Sequence, residues 1–282
     1  MTEFAARVEK DSISNAGRRL ISMVVTYPRI IHSEVMTHRA FARNASSSRA
    51  IPFSKMVDQV ITSPFVPIKW GAEQRGMQTG DSLSEMAEIK CETAWLRARD
   101  HAVWMAKEMH SQGLHKSICN RVLEPYSWIT VVITATEWCN FFRLRCHPDA
   151  EIHLQKIAGM MRDAIKKSSP EFVPFGEWHL PFIDQADLDT PGITEDDLSA
   201  ISTARSARVS YLTHDGLRDH SKDQELFHKL VTGSGFGHYS PHEHVATPLE
   251  NPYEASGPFR GWRQFRKNFV LENAETPIKY SP

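Results

Sequence analysis

Fourteen residues from Thr37 to Ala50 hold more polar chemistry than a core accepts: Arg39, Arg43, Arg49, His38, Asn44, and Ser46 to Ser48. Burying unpaired charge is costly, so the fold must bring this run to a surface or wrap it around a ligand. It follows directly on Leu20 to Ile31, Leu-Ile-Ser-Met-Val-Val-Thr-Tyr-Pro-Arg-Ile-Ile. That stretch reads as a strand, interrupted or edged near Pro28. A strand feeding a polar loop is the first expectation, although Ile31 to Arg43 is equally compatible with a helix. The planar arginine fork suits phosphate, and neighbouring serines add donors. A small anionic, phosphorylated ligand is one reading. A surface loop held by salt bridges is the other.

Composition narrows the partners. The formal net charge of the 282 residues is -1, so no global basic field favours coating DNA or RNA. Basic residues are concentrated locally, at Arg39 to Arg49 and at Arg260 to Lys267. Cys91, Cys119, Cys139 and Cys146 match no compact metal pair or disulfide scaffold, and reduced thiols fit best. Cys119, Cys139 and Cys146 are expected to pack among apolar neighbours. No signal peptide and no apolar run of membrane-spanning length is evident, which predicts a cytoplasmic protein without membrane contact.

Along the chain, residues 1–19 read as a terminal arm or short helix. Pro52 to Gly80 reads as a long irregular connector anchored by Phe53, Phe65 and Trp70. Ser82 to Glu85 is a capping-box candidate. Beyond it Met86, Ile89 or Cys91, Ala94, Trp95, Ala98, Ala102, Met105 and Met109 recur at helical spacing, predicting a helix that ends before Gly113 and buries this stripe. Trp128 to Thr134 predicts a buried strand or a buried helix. Asp149 is expected to cap a helix reaching Lys167. Residues 168–193 resemble an ordered connector, anchored by Phe172, Phe175, Trp178 and Phe182. Thr194 opens a short helix, and Ser221 to Val231 another.

Four segments stand out: His38-Arg39-Ala-Phe-Ala42-Arg43-Asn44-Ala45-Ser46-Ser47-Ser48-Arg49; Arg121-Val-Leu-Glu-Pro125; Asn140-Phe-Phe-Arg143-Leu-Arg145 with Asp149-Ala-Glu-Ile152; and Ala207-Arg208-Val209-Ser210-Tyr211 with Gly237-His238-Tyr-Ser240-Pro241-His242-Glu243-His244. Together they resemble the flavin-dependent thymidylate synthases. In that family the last pair comes first, so this chain looks circularly permuted. Permutation is tolerated where termini lie close together at a surface. The resemblance implies an α+β, mixed α/β fold forming one catalytic domain over 1–282. Its family-like segments would be 20–167 and 200–250, joined by the 168–193 connector.

The resemblance further implies a homo-oligomer, a tetramer. It implies transfer of a one-carbon unit from methylenetetrahydrofolate to C5 of dUMP, with FAD supplying the hydride and NADPH regenerating reduced flavin. Glu34, Ser46, Ser47, Arg49, Arg121 and Arg145 fall on the nucleotide side, with Arg121 and Arg145 as the catalytic pair. His38, Arg39, Asn44, Asn140, Ser210, His238, Ser240 and Glu243 fall on the flavin side. The alternative for the arginines is ion pairing with Glu34, Glu124 or Glu151.

Departures from the pattern are concentrated in the signature. Thr37 replaces an arginine, Ala42 a serine, Ala45 a glutamate, and Glu34 stands for a glutamine; Thr134 and Thr136 stand where an asparagine and an arginine are expected. Two alternatives therefore stay open: a pyrimidine-nucleotide hydroxymethylase, and a non-catalytic nucleotide- or nucleic-acid-binding derivative, which the near-neutral charge disfavours. A metal site at His238, His242 and His244 lacks recognised spacing. Arg260 to Lys267 matches nothing; it reads as an aromatic-packed element, an anion contact, or both.

Overall fold

The computed structural model describes residues 3–209, 218–233, 237–269 and 272. Among them five strands form one sheet in the order β3-β4-β2-β1-β5. They are β1 (Ala5–Ser14), β2 (Arg19–Pro28), β3 (Ala42–Ala45), β4 (Trp128–Ala135) and β5 (Glu171–Val173). β2 pairs antiparallel with β1 and β4, β3 antiparallel with β4, and β5 parallel with β1.

Strand periodicity divides the sheet into two unlike faces. Odd positions of β2 and β4 are apolar: Ile21, Met23, Val25 and Tyr27, then Ile129, Val131 and Ile133. They pack beneath α6 (Ile152–Lys167), through Leu154, Ile157 and Met161, and beside α5 (Cys139–Arg145), through Phe141. Even positions include Ser22, Thr26, Thr130 and Thr134, all buried, and these join across the strands. Thr26 Oγ1 lies 2.9 Å from Thr130 Oγ1, and Ser22 Oγ lies 2.6 Å from Thr134 Oγ1. This second face is covered by the C-terminal part of the chain, with Phe182 and Val209 against Val24 and Val132.

Histidines close the polar seam. His179 Nε2 meets Ser22 Oγ and its Nδ1 meets Ser12 Oγ, both at 2.8 Å, and His244 Nδ1 meets Thr134 Oγ1 at 2.8 Å. Burial pushes the His179 imidazole well below its usual range, and pushes His244 down to about 3. Both rings are therefore neutral at pH 7. Beside the seam, Arg205 on α8 (Glu195–Arg208) is buried between Asp187 on α7 (Gln185–Leu188) and Asp223 on α9 (His220–Thr232). Burial opposes ionisation of Asp187, but hydrogen bonds from Arg205 and His220 outweigh it and hold the carboxyl well below the usual range.

Several expectations change. Residues 5–14 are strand, because β2 needs a partner on the side away from β4. The Pro52 to Gly80 stretch contains α2 (Phe53–Thr62), whose Met56, Val57 and Val60 are buried. α3 (Glu85–Ser111) does end before Gly113, but buries Val103 and Ala106 and leaves most of the expected stripe outside. Met86 is 63% and Met105 38% exposed. Glu151, not Asp149, caps α6, its side chain accepting from Leu154 N. Cys119 is buried, whereas Cys139 is exposed. Trp128 to Thr134 is strand, and the helix after Thr194 runs fourteen residues from a capping box with Asp197.

Candidate active site

The polar run is split by the fold. Pro28 ends β2, and a 3-10 turn (Arg29–Ile31) leads into α1 (His32–Met36). The chain returns as β3 beside β4, so Thr37 to Phe41 gather at the Thr134 end and Ser46 to Arg49 at the Thr130 end.

At the first end stands Arg145, on the last turn of α5. Its Nε donates to His38 Nε2 at 2.8 Å, and Nη2 reaches Thr37 Oγ1 at 3.4 Å. Burial, then the charges of Arg145 and Arg43, push His38 down to about 4. Arg145 also lines an open cleft of about 500 Å³ with Arg143, Leu144, His147, Asp149 and Ala150. Arg43 donates to the Val35 and Met36 carbonyls, tying β3 to the end of α1. Glu34 lies half-buried on α1 and accepts from Ser33 Oγ at 3.0 Å.

The second end is a braced loop. Asn120 Nδ2 donates to the Ser48 and Ile51 carbonyls at 2.7 and 3.0 Å, and Ser48 Oγ donates to Glu124 at 2.6 Å. Arg29 Nη2 donates to the Ser46 carbonyl at 3.2 Å, and Ser46 Oγ accepts from Thr130 N. Burial lowers the Arg29 pKa, with Glu124 opposing. Arg49 and Arg121 project outward from this brace, exposed, with no hydrogen bond or ion pair among the described residues. Glu34, Glu124 and Glu151 contact Ser33, Ser48 with Arg29, and His153 respectively; none pairs with Arg49, Arg121 or Arg145. Sequence reasoning missed Arg29, Asn120 and the tethering role of Thr37. Arg29 directly after a strand-ending proline was the available signal.

The residues expected on the flavin side scatter into bonded and free groups. Asn44, buried on β3, donates to the Ser206 carbonyl of α8 at 2.8 Å. Asn140 accepts from Arg143, and Glu243 pairs with Arg266. Burial raises the Glu243 pKa while Arg266 opposes it. Arg39, His238 and Ser240 are exposed and free of side-chain partners among the described residues. Gly237 sets the approach to His238 with φ +55°; a Cβ there would sit 2.5 Å from the Tyr239 ring. The turn Ser240–Glu243 packs against β3, so the two separated motifs do meet. Ser210 lies outside the described residues.

Within Arg260 to Lys267, Arg266 is paired with Glu243 and Glu272, and Arg263 with Asn268; Phe259 and Trp262 are buried. Among the described residues no group of three His, Cys, Asp or Glu side chains is placed to hold a metal ion. None of their helices is long and apolar enough to cross a membrane.

Residues 20–171, more than half of the chain, match the family model described as thymidylate synthase complementing protein. The chain belongs to that family. An enzyme of flavin-dependent one-carbon transfer to C5 of dUMP, yielding dTMP, follows from this membership, with FAD and methylenetetrahydrofolate as the family's cofactor and carbon donor. The match runs from β2 to the first residue of β5 and includes the polar run, Arg121 and Arg145. Two solved structures of a UMP/dUMP methylase PolB from Streptomyces cacaoi are similar to this chain. The one bound with 5-Br UMP shows 14% identity over 59% of this chain and 90% of that one, at a TM-score of 0.49. The one bound with 5-Br dUMP shows 15% identity over 59% and 91%, at 0.48. No curated protein matches the chain significantly.

Proposed function

We propose that this protein grips dUMP with Arg145 at one end of β3 and with Ser47, Arg49 and Arg121 at the other. Arg49 and Arg121 carry the reading. Among the described residues both stand unpaired, Arg49 on the loop that Asn120 and Glu124 brace and Arg121 on the 3-10 helix Asn120–Tyr126 that supplies those braces, while Glu34, Glu124 and Glu151 are engaged elsewhere. Unpaired, pre-positioned guanidinium groups suit a phosphate, and one near a ring carbonyl favours negative charge developing on the pyrimidine.

The donor set at the second motif fits FAD. The free His238, Ser240 and Arg39 groups suit phosphate and hydroxyl oxygens, and Gly237 lets the backbone come close. When bound, FAD supplies the hydride that completes the methyl group. The chain's residues bind and orient: Arg145 and Arg121 hold the nucleotide, while His238, Ser240 and Arg39 hold the cofactor. NADPH is proposed as the reductant and a homotetramer as the working assembly, with residues 1–282 acting as one permuted catalytic domain.

The test is incubation of the purified protein with dUMP, methylenetetrahydrofolate and NADPH, followed by nucleotide mass measurement. A gain of one methyl group, dependent on FAD, is expected. A hydroxymethyl product replaces this reading with the hydroxymethylase, and nucleotide binding without turnover leaves a non-catalytic derivative.

A further inference from the structure

A guanidinium has two hydrogen-bonding edges: a side edge formed by Nε–H with one Nη2 hydrogen, and an end edge formed by Nη1 with Nη2. The side edge of Arg145 is fully occupied, Nε by His38 Nε2 at 2.8 Å and Nη2 by Thr37 Oγ1 at 3.4 Å. Its end edge has no partner among the described residues, and Arg145 borders the open cleft. We propose that His38, with Thr37, is a positioning residue that occupies the side edge of Arg145 and leaves the end edge for the nucleotide. This rests on reading Arg145 as a nucleotide anchor.

The roles at both tethers are determined by valence. Arginine only donates, so His38 must offer a bare lone pair at Nε2 and carry its hydrogen on Nδ1. Thr37 Oγ1 spends its own hydrogen on the Glu34 carbonyl at 2.6 Å, which leaves a lone pair for Arg145. Packing holds the imidazole in this orientation. Its ring stands edge-on to Phe141 with centroids 4.8 Å apart and lies 5.9 Å from Phe41. Phe141 and Arg145 are four residues apart on α5, so they share a helix face. His38 is thus gripped by two side chains of the helix it orients. A cation at position 37 would give Arg145 no acceptor and would repel it; the threonine is what this arrangement needs.

Calorimetric titration with dUMP, and parallel titration with FAD, tests the assignment on the full chain. His38→Phe keeps the ring packing and removes the acceptor; dUMP affinity should fall about fivefold or more, the effect of losing a charged hydrogen bond. His38→Gln should restore most of it through its amide oxygen. Thr37→Val should give a smaller loss and Thr37→Ser none, with FAD affinity unchanged throughout and the turnover defect falling on KM for dUMP more than on kcat. Thermal unfolding checks each variant, and exposed Thr37 supplies the decisive pair if His38→Phe does not fold. Loss of FAD affinity with normal dUMP binding in His38→Phe overturns the proposal in favour of a cofactor contact. Failure of His38→Gln to recover overturns it in favour of ring packing. If Arg145→Ala weakens dUMP but neither His38→Phe nor Thr37→Val does, positioning alone is wrong; if Arg145→Ala changes nothing, the anchor reading itself falls and takes the proposal with it.

Discussion

Single side chains in this protein separate into those the fold has satisfied and those it has left available. Asn44, Asn140 and Glu243 carry polar groups that the sequence offers to a ligand, yet each is bonded within the chain. Arg49 is not, and Arg145 is half used. Arg49→Ala and Arg145→Ala should each weaken dUMP binding tenfold or more, since truncating one partner of a charged, desolvated contact costs about 2–5 kcal/mol. Lysine should rescue incompletely, because it keeps the charge and loses the fork. Unchanged calorimetric affinity in both alanine variants removes these residues from the site. The polar seam allows a second residue-scale prediction. Ser22→Ala strands His179 Nε2 and one bond of Thr134 in the interior, at a cost of about 1–3 kcal/mol. A denaturant midpoint equal to that of the parent would show that the seam contributes nothing.

Elements explain where periodicity succeeded and where it misled. β2 and β4 carry apolar residues at their central odd positions and mix Ser22, Thr26, Thr130 and Thr134 with Val24 and Val132 at even ones, which puts a wholly apolar face under α6 and a mixed face against the C-terminal part. α3 has the right spacing for a helix, but helical spacing says nothing about what covers the stripe. Its 27 residues extend about 40 Å, and among the described residues only Val103 and Ala106 on it are buried. Met86, Ile89, Trp104 and Met105 remain exposed, and exposed apolar faces of this kind mark protein interfaces. A second copy of the chain is the proposed cover, in keeping with the proposed tetramer. Trp104→Glu, at a site 56% exposed, should leave the fold intact and lower the mass seen by light scattering. An unchanged mass would place the assembly contacts on another surface.

At the scale of the whole molecule, buried neutral histidines and a buried ion cluster tie its parts together. His32 and His38 are pushed down to about 4, and His242 and His244 to about 3, in each case by burial first. At pH about one unit above 6.5 and higher, both folded and unfolded chains hold these rings neutral, and stability is independent of them. As pH falls below 6.5 the unfolded chain takes up protons that the folded chain refuses, so stability is lost progressively towards pH 3–4. Melting temperature should be level above pH 7 and fall steeply between 6.5 and 4; a flat profile to pH 4 contradicts the burial of these rings. Asp223→Ala removes a carboxylate shared by Arg205 and Arg208 and leaves Arg205 under-compensated in the interior. Breaking such a pair costs about 3–5 kcal/mol, which urea unfolding can read.

The sequence by itself determined the strand β2, the helices that open at Thr194 and near Ser221, and the local concentration of arginines, because periodicity, capping and charge are local properties; it left Trp128 to Thr134 open between strand and helix, and the pairing in the sheet decided for strand. Its motif pattern also indicated the family, and the Ser240–Glu243 turn packed on β3 brings the signature and the Gly237 to His244 motif together. Only the tertiary structure decided which polar groups remain free. Glu124 was a candidate partner for Arg49, Arg121 or Arg145 until Ser48 and Arg29 were placed beside it, and Glu243 a candidate ligand until Arg266 met it. Residues 5–14 became strand because β2 had an edge to fill, and the α3 stripe stayed outside because no element among the described residues covers it. Satisfaction and burial depend on neighbours distant in sequence, and no local pattern records them.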